Sequence, residues 1–273
     1  MTERTRPVAC ILATALALLA SIFASARAAG SPGGRLERIA ASGELRVCIW
    51  PEYYGVSFHN AKSNTITGVD ADLAREFARE LKVHLRFVNS SFARLIDDLL
   101  GDSCDVAMMA VAITPQRQER IAFSKPHLRT DVYMVTTRNN PRVRKWEDLD
   151  RAGVRIGVAA GTVHEPLMRE RLKLSELVVV NAPQTREGEL EAGRIDAFMS
   201  DFPFTRKMVD YHDWVRVIAP TQPYFPVFSA FALKPGEPDW LQRVDQFVAA
   251  IKADGRLAKA AERYGLEPIV VRE

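Results

Sequence analysis

Three places in the sequence set charged or hydrogen-bonding side chains at the end of an apolar run, where open α/β proteins build their ligand sites. The run 105–112 leads into Ile113-Thr114-Pro115-Gln116-Arg117, the run 155–159 into Ala160-Gly161-Thr162, and the run 196–200 into Asp201. An arginine fork suits a carboxylate. A cation in the first helical turn after Thr114-Pro115 is also unfavourable beside the positive end of that helix. The free N–H groups around Gly161-Thr162 suit an anion, and the Asp201 carboxylate suits an amino or cationic group. Each has a plainer reading too: Arg117 as a surface arginine, Thr162 with Glu165 as a capping box, and Asp201 as a helix cap. Trp50, Tyr53, Tyr54 and Phe92 follow strand ends or open helices and could floor a cleft or fill core. Asp70 and Asp72 read as structural helix-start carboxylates.

Enzymatic alternatives find little in the sequence. There is no G-x-S-x-G, H-E-x-x-H, P-loop or C-x-x-C, and His59, His84, His127, His164 and His212 have no metal-ligand spacing. No metal, no cofactor and no catalytic residue is expected.

The elements that must position these groups follow a rhythm. Strands are expected over 45–50, 84–88, 105–112, 131–137, 155–159, 177–180, 196–200 and 229–234. Helices are expected over 35–41, 70–82, 92–100, 162–173, 185–193, 240–255 and 256–265, with further helical stretches opening at Thr114-Pro115 and Phe202. Alternation of this kind predicts parallel sheets covered on both faces. Two such runs, roughly 43–130 and 140–222, are each the size of a small α/β domain. The Ala219–Pro223 stretch breaks the second, and the amphipathic helices after it need a sheet to cover, most naturally the first. The chain would then cross between lobes twice, near 131–138 and 222–229, making a hinge and a cleft.

With 273 residues, 47% of them hydrophobic, the chain can bury substantial cores. Lys+Arg 37 against Asp+Glu 34 is too even to point to nucleic acid. Residues 1–7 carry Arg4 and Arg6, 8–24 are uncharged, and Ala26-Arg27-Ala28 follows. This reads as a secretory signal peptide cleaved after Ala28, with a membrane anchor as the alternative. Cys10 would leave with it. Cys48 and Cys104 would then occupy an oxidising space, either as one disulfide or as two buried thiols.

In this order and spacing, GELRV (43–47), GVDADLARE (68–76), CDVAMM (104–109), ITPQRQERIAFSKPHL (113–128), VRIGVAAGT (154–162), GELEAGRIDAFMSD (188–201) and IKADGRLAKAAERYG (251–265) resemble the family-3 bacterial extracellular solute-binding proteins, the amino-acid-binding type of ABC importers. The resemblance implies an α/β, two-lobed periplasmic-binding-protein fold, with two doubly wound sheets joined by a two-strand hinge. It divides the chain into a signal peptide (1–28), a first lobe (29–131), a second lobe with the hinge crossings (132–225) and a return to the first (226–273). It implies a monomeric periplasmic protein that captures an amino acid or related carboxylate for an inner-membrane ABC permease.

By the same resemblance, Arg117 of the T-x-x-R motif holds the ligand carboxylate, Thr162 and the neighbouring Gly161 and Val163 backbone assist, and Asp201 takes the ammonium. Tyr53, with Trp50 and Phe92, walls the cleft. The strand before T-x-x-R lacks the hydroxyl residues often found there, so Ala110 and Ala112 offer only backbone carbonyls. Val163 replaces a further hydroxyl. A less polar cleft is therefore expected, suited to a less polar amino acid or to an acid without an amine. Two alternatives stand beside this: accessory proteins of periplasmic quinoprotein dehydrogenases, similar in the strand cysteine and the Cys-Asp pairing, which would act through a protein partner, and the chemistry of cyclohexadienyl dehydratases, to which a few relatives of this fold are similar and for which Glu52, Glu165 and Asp201 would be the candidate acid–base groups.

Overall fold

A computed structural model describes residues 1–2 and 33–272. The predicted signal peptide, its cleavage site after Ala28 and Cys10 lie outside the described residues. Helix α1 (Arg35–Ser42) precedes β1 (Glu44–Ile49), a short hairpin of β2 (Phe58–Asn60) and β3 (Thr65–Thr67), α2 (Val69–Leu81), β4 (His84–Asn89), α3 (Leu95–Leu100) and β5 (Val106–Ala112). After α4 (Pro115–Gln118) come β6 (Ala122–Phe123) and β7 (Leu128–Thr130). The second run is β8 (Val132–Thr137), β9 (Arg155–Ala159), α5 (His164–Arg171), β10 (Glu176–Val180), α6 (Arg186–Glu191), β11 (Ala197–Asp201), α7 (Phe202–Met208) and β12 (Val215–Ile218). Strand β13 (Val227–Leu233), α8 (Pro238–Ala253) and α9 (Arg256–Arg263) complete the chain.

The strands form two principal sheets, β4-β1-β5-β13-β6 with β7 also on β13, and β10-β9-β11-β8-β12. Each sheet therefore anchors one lobe of a two-lobed α/β fold. The expected parallel pairing holds for the strands joined by helices and is corrected at the strands that follow each crossing. β4, β1 and β5 run parallel, as do β10, β9 and β11, but β13 lies antiparallel to β5, and β8 antiparallel to both β11 and β12. The physical reason is connectivity. The strands after each crossing enter from the hinge end, opposite in direction to strands fed by a helix crossover.

The elements follow from apolar spacing. In α2, Val69, Leu73, Ala74, Phe77 and Ala78 fall on one buried stripe, and Phe77 stacks on Phe247 of α8 at 4.4 Å between ring centres. Burying a Phe side chain contributes about 2–3 kcal/mol. Strand β5 is buried at every residue because it is central and covered on both faces. Residues 92–94, expected to be helical, form a turn before α3; Ser91 accepts the Arg94 N–H and draws the chain out of helix there. Cys48 and Cys104 form a disulfide (S–S 2.04 Å) linking β1 to the segment that enters β5.

The chain leaves the first sheet after Thr130, enters the second at Val132, and returns between Ile218 and Val227. Asp131 joins the two crossings. Its carboxylate accepts the N–H groups of Val132, Tyr224 and Phe225 at 2.7–2.9 Å.

Candidate functional site

The carboxyl ends of β5, β9 and β11 converge on a cavity of about 30 Å³ between the lobes. Trp50, Tyr53, Phe92, Ala110, Ala112, Arg117, Thr162, Val163 and Asp201 all line it. Gly161 stands just behind the lining and presents its carbonyl to Arg117. The sequence-predicted residues, drawn from distant parts of the chain, are thus brought together. A cavity of this volume has room for water molecules but is small for a solute the size of an amino acid.

Arg117 lies in α4, whose first turn is fixed by Pro115 and by the Thr114 hydroxyl, which accepts the Arg117 N–H. The side chain is buried and donates to the Ala112 carbonyl and, across the cleft, to the Gly161 carbonyl, both at 3.0 Å. Phe92 stacks against the guanidinium at 5.3 Å. No carboxylate among the described residues lies within ion-pair distance of it. Burial pulls the guanidinium down to about 10, so it remains cationic at neutral pH.

Asp201 caps the following helix, the plainer of its two readings, and also faces the cavity. One oxygen caps α7 by accepting the Phe204 N–H at 3.1 Å, and the other accepts the Tyr53 hydroxyl from the opposite lobe. Burial raises the carboxyl above its ordinary range, against the hydrogen bonds that favour its charge. Burial and the neighbouring Asp201 carboxylate hold Tyr53 well above the usual phenol range.

The capping-box reading at Thr162 is corrected. The Thr162 hydroxyl donates to the Ala159 carbonyl at 2.7 Å, and Glu165 reaches back to the Gly161 N–H at 3.0 Å and to Arg169. The Gly161 N–H is therefore occupied and turned from the cleft. The reason is backbone geometry: Gly161 adopts φ +73°, and α5 starts only at His164. A Cβ at Gly161 would stand 2.5 Å from the Ala93 backbone on the other lobe. Gly55, at φ +75°, similarly faces the Pro203 carbonyl. Both glycines permit close approach of the lobes.

The strand before T-x-x-R offers no hydroxyl, as expected, but hydroxyls reach the cleft from elsewhere. Thr130, Ser200 and Ser229 line the cavity from β7, β11 and β13, strands whose side chains the T-x-x-R neighbourhood does not reveal. Ala110 is held in a left-handed conformation (φ +47°) within β5, and its N–H is drawn to the buried Asp70 carboxylate at 2.6 Å. The other Asp70 oxygen meets His127 at 2.8 Å. Asp70 thus sets the cleft backbone as well as opening α2.

Two further lining residues escaped the sequence reading, Arg186 and His164. Arg186 begins α6 immediately after Thr185, whose side chain caps that helix. It repeats the signal that marked Arg117, a cation in a first turn beyond a strand end. His164 lies two residues beyond Thr162, so the Gly161-Thr162 reading stopped just short of it. Glu52 faces a neighbouring cavity of about 80 Å³, and Glu165 is committed to Gly161 and Arg169. Of the three carboxylates considered for acid–base chemistry, only Asp201 lines the central cavity.

Comparison with known proteins gives the family and the fold. The model for the bacterial extracellular solute-binding proteins, family 3, matches residues 45–267. The chain is 30% identical over 250 residues to a cyclohexadienyl dehydratase of Pseudomonas aeruginosa, covering 91% of each chain. It is 26% identical over 205 residues to ABC transporter arginine-binding protein 1 of Escherichia coli, covering 74% of this chain and 83% of that one. Its fold is similar to the crystal structure of the ancestral amino acid-binding protein AncCDT-1, a precursor of cyclohexadienyl dehydratase. There the TM-score is 0.74 and the identity 28%, over 84% of this chain and 98% of that one.

Proposed function

The chain belongs to the bacterial extracellular solute-binding proteins, family 3, and from that premise we propose that it is exported to the periplasm and closes on a small carboxylate-bearing solute. It would deliver that solute to an ABC permease. The observation that carries this reading is Arg117: a buried guanidinium at the junction of the lobes whose acceptors are two backbone carbonyls, one from each lobe. A carboxylate is a stronger, bidentate acceptor in that position. The solute docks on the first lobe through Arg117 and the rings of Trp50, Tyr53 and Phe92. The second lobe then closes, bringing Thr162 and Val163 over the acid group. Where the solute carries an ammonium, Asp201 exchanges the Tyr53 hydroxyl for it. Affinity then depends on the balance of open and closed forms.

A thermal-shift screen of the processed protein with amino acids, keto acids and aromatic acids tests the reading, because a solute that binds only the native state raises its melting temperature. Carboxylate-bearing compounds should shift the transition. A flat response across all acids, with an equal response in Arg117→Ala, would overturn it.

A second reading, dehydration of a cyclohexadienyl substrate, is favoured by the 30% identity to the Pseudomonas dehydratase. Product formation by the pure protein, lost in Asp201→Asn, would establish it. The dehydrogenase-partner alternative gains no support from the relatives described.

A further inference from the structure

Resting on the Arg117 reading and deepening it, we infer that the cleft seats a second acidic group of its solute on Arg186 with His164 beside it, so that the solute is a small acid with two anionic groups. Arg186 is buried and stands on the second lobe, facing the cavity that Arg117 enters from the first. Its Nη1 donates to the Met199 carbonyl at 2.8 Å and reaches the Ser200 hydroxyl at 3.4 Å. Its faces pack on Trp50, Phe198 and Phe204 at 4.5–5.5 Å. Among the described residues no carboxylate comes within ion-pair distance.

The two carboxylates that line the cavity are engaged elsewhere. Asp201 accepts from Tyr53 and Phe204, and Asp131 from three backbone N–H groups of the hinge. Burial disfavours the Arg186 charge, and Glu187, Asp201 and Glu52 favour it only from beyond ion-pair distance. A buried cation without a partner costs several kcal/mol. Stacking on rings offsets only about 0.5–2 kcal/mol of such a cost.

His164 supplies the independent observation. It is 4% exposed and lines the same cavity, and neither ring nitrogen has a hydrogen-bond partner. The ring lies beside the Ser200 backbone, which slightly favours its protonation. Burial and the nearby Arg186 and Arg117 charges nevertheless hold it at about 3. A neutral imidazole can donate an N–H to an anion without adding charge. Two unpaired guanidiniums on opposite walls and an imidazole lacking a partner are complementary to two acidic groups, one for each lobe.

Calorimetric titration of the processed protein with matched pairs tests this: L-glutamate against L-glutamine, and 2-oxoglutarate against 2-oxopentanoate. The two-carboxylate member of at least one pair should bind at least 30-fold more tightly than its partner. Arg186→Met should remove that preference while leaving the one-carboxylate member within threefold, and Arg186→Lys should restore part of it. Arg117→Met should weaken both members of the pair. Equal binding of both members, or equal loss of both in Arg186→Met, would overturn the second acidic subsite and leave the Arg117 reading standing. If no acid binds the wild type, or Arg117→Met changes nothing, the underlying reading fails and this inference with it. Melting of each variant shows whether a loss reflects unfolding.

Discussion

Buried charge is treated in opposite ways in two regions of this molecule. At the base of the first lobe, the fully buried Arg35 side chain meets Asp102, Asp105 at 3.0 Å and Glu237 at 2.7 Å. Although burial pulls its guanidinium downward, the hydrogen bonds to Glu237, Asp105 and Asp102 hold it above the usual range. Lys234 and Arg46 join the same carboxylates. In the cleft, Arg117 and Arg186 are just as deeply placed and rest on carbonyls and rings. The histidines repeat the contrast, His127 being paired with Asp70 and His164 having no partner. A saturated network holds the fold, whereas an unsaturated one is complementary to something that arrives from outside.

That contrast is broken most sharply by removing Arg35. Arg35→Ala removes the buried cation that Asp102, Asp105 and Glu237 share, leaving them only Lys234, Arg46 and Arg38, and should cost about 3–5 kcal/mol of stability, read as a lower urea midpoint, with solute affinity per folded molecule unchanged. A midpoint close to wild type would mean that the network is not structural. The converse holds for Arg117→Ala. Binding of a carboxylate solute should weaken by about 2–5 kcal/mol, while the urea midpoint stays near wild type or rises, because an unpaired buried cation is gone. Equal losses in both measurements would erase the distinction between the regions.

Protonation sharpens it further. His164 is neutral in the folded protein down to about pH 3, whereas an unfolded histidine takes a proton near pH 6.5. The unfolded state therefore binds the extra proton between these values, and stability falls as pH drops through that window. His164→Phe should recover about 2–4 kcal/mol of that acid loss. Urea midpoints at pH 7 and pH 4 measure it, and an unchanged slope would exclude His164. The smallest effect is expected at Gly161. In Gly161→Ala the left-handed backbone should cost about 1 kcal/mol of stability. The new Cβ, pressed toward Ala93, should lower affinity about tenfold by opposing closure. Calorimetry giving wild-type affinity would show that the lobes need not approach so closely.

The legible parts of the molecule were those written locally. The α2 stripe, the apolar β5 run and the Thr114-Pro115 cap each announce themselves within a few residues, and Arg117 inherits its position from that cap. What escaped is set by partners far away in the chain. Strands β6, β7 and β12 are too short to show a period, and β13 is antiparallel because of where the hinge delivers it. Thr130 and Ser229 reach the cavity only because β7 pairs with β13. Thr162 and Glu165 had capping-box spacing, but the positive φ of Gly161 delayed the helix and redirected both side chains. Arg186 carried the same first-turn signal as Arg117 without a surrounding motif, so nothing in its own neighbourhood distinguished it from a solvated arginine.

The most direct measurement is a crystal structure of the protein with the acid that most raises its melting temperature. A carboxylate of that acid is expected on the Arg117 guanidinium at about 2.7–2.9 Å, in place of the Ala112 and Gly161 carbonyls. A solute seated elsewhere, or one that turns a non-acidic group toward Arg117, would contradict the reading of the cleft as a carboxylate clamp.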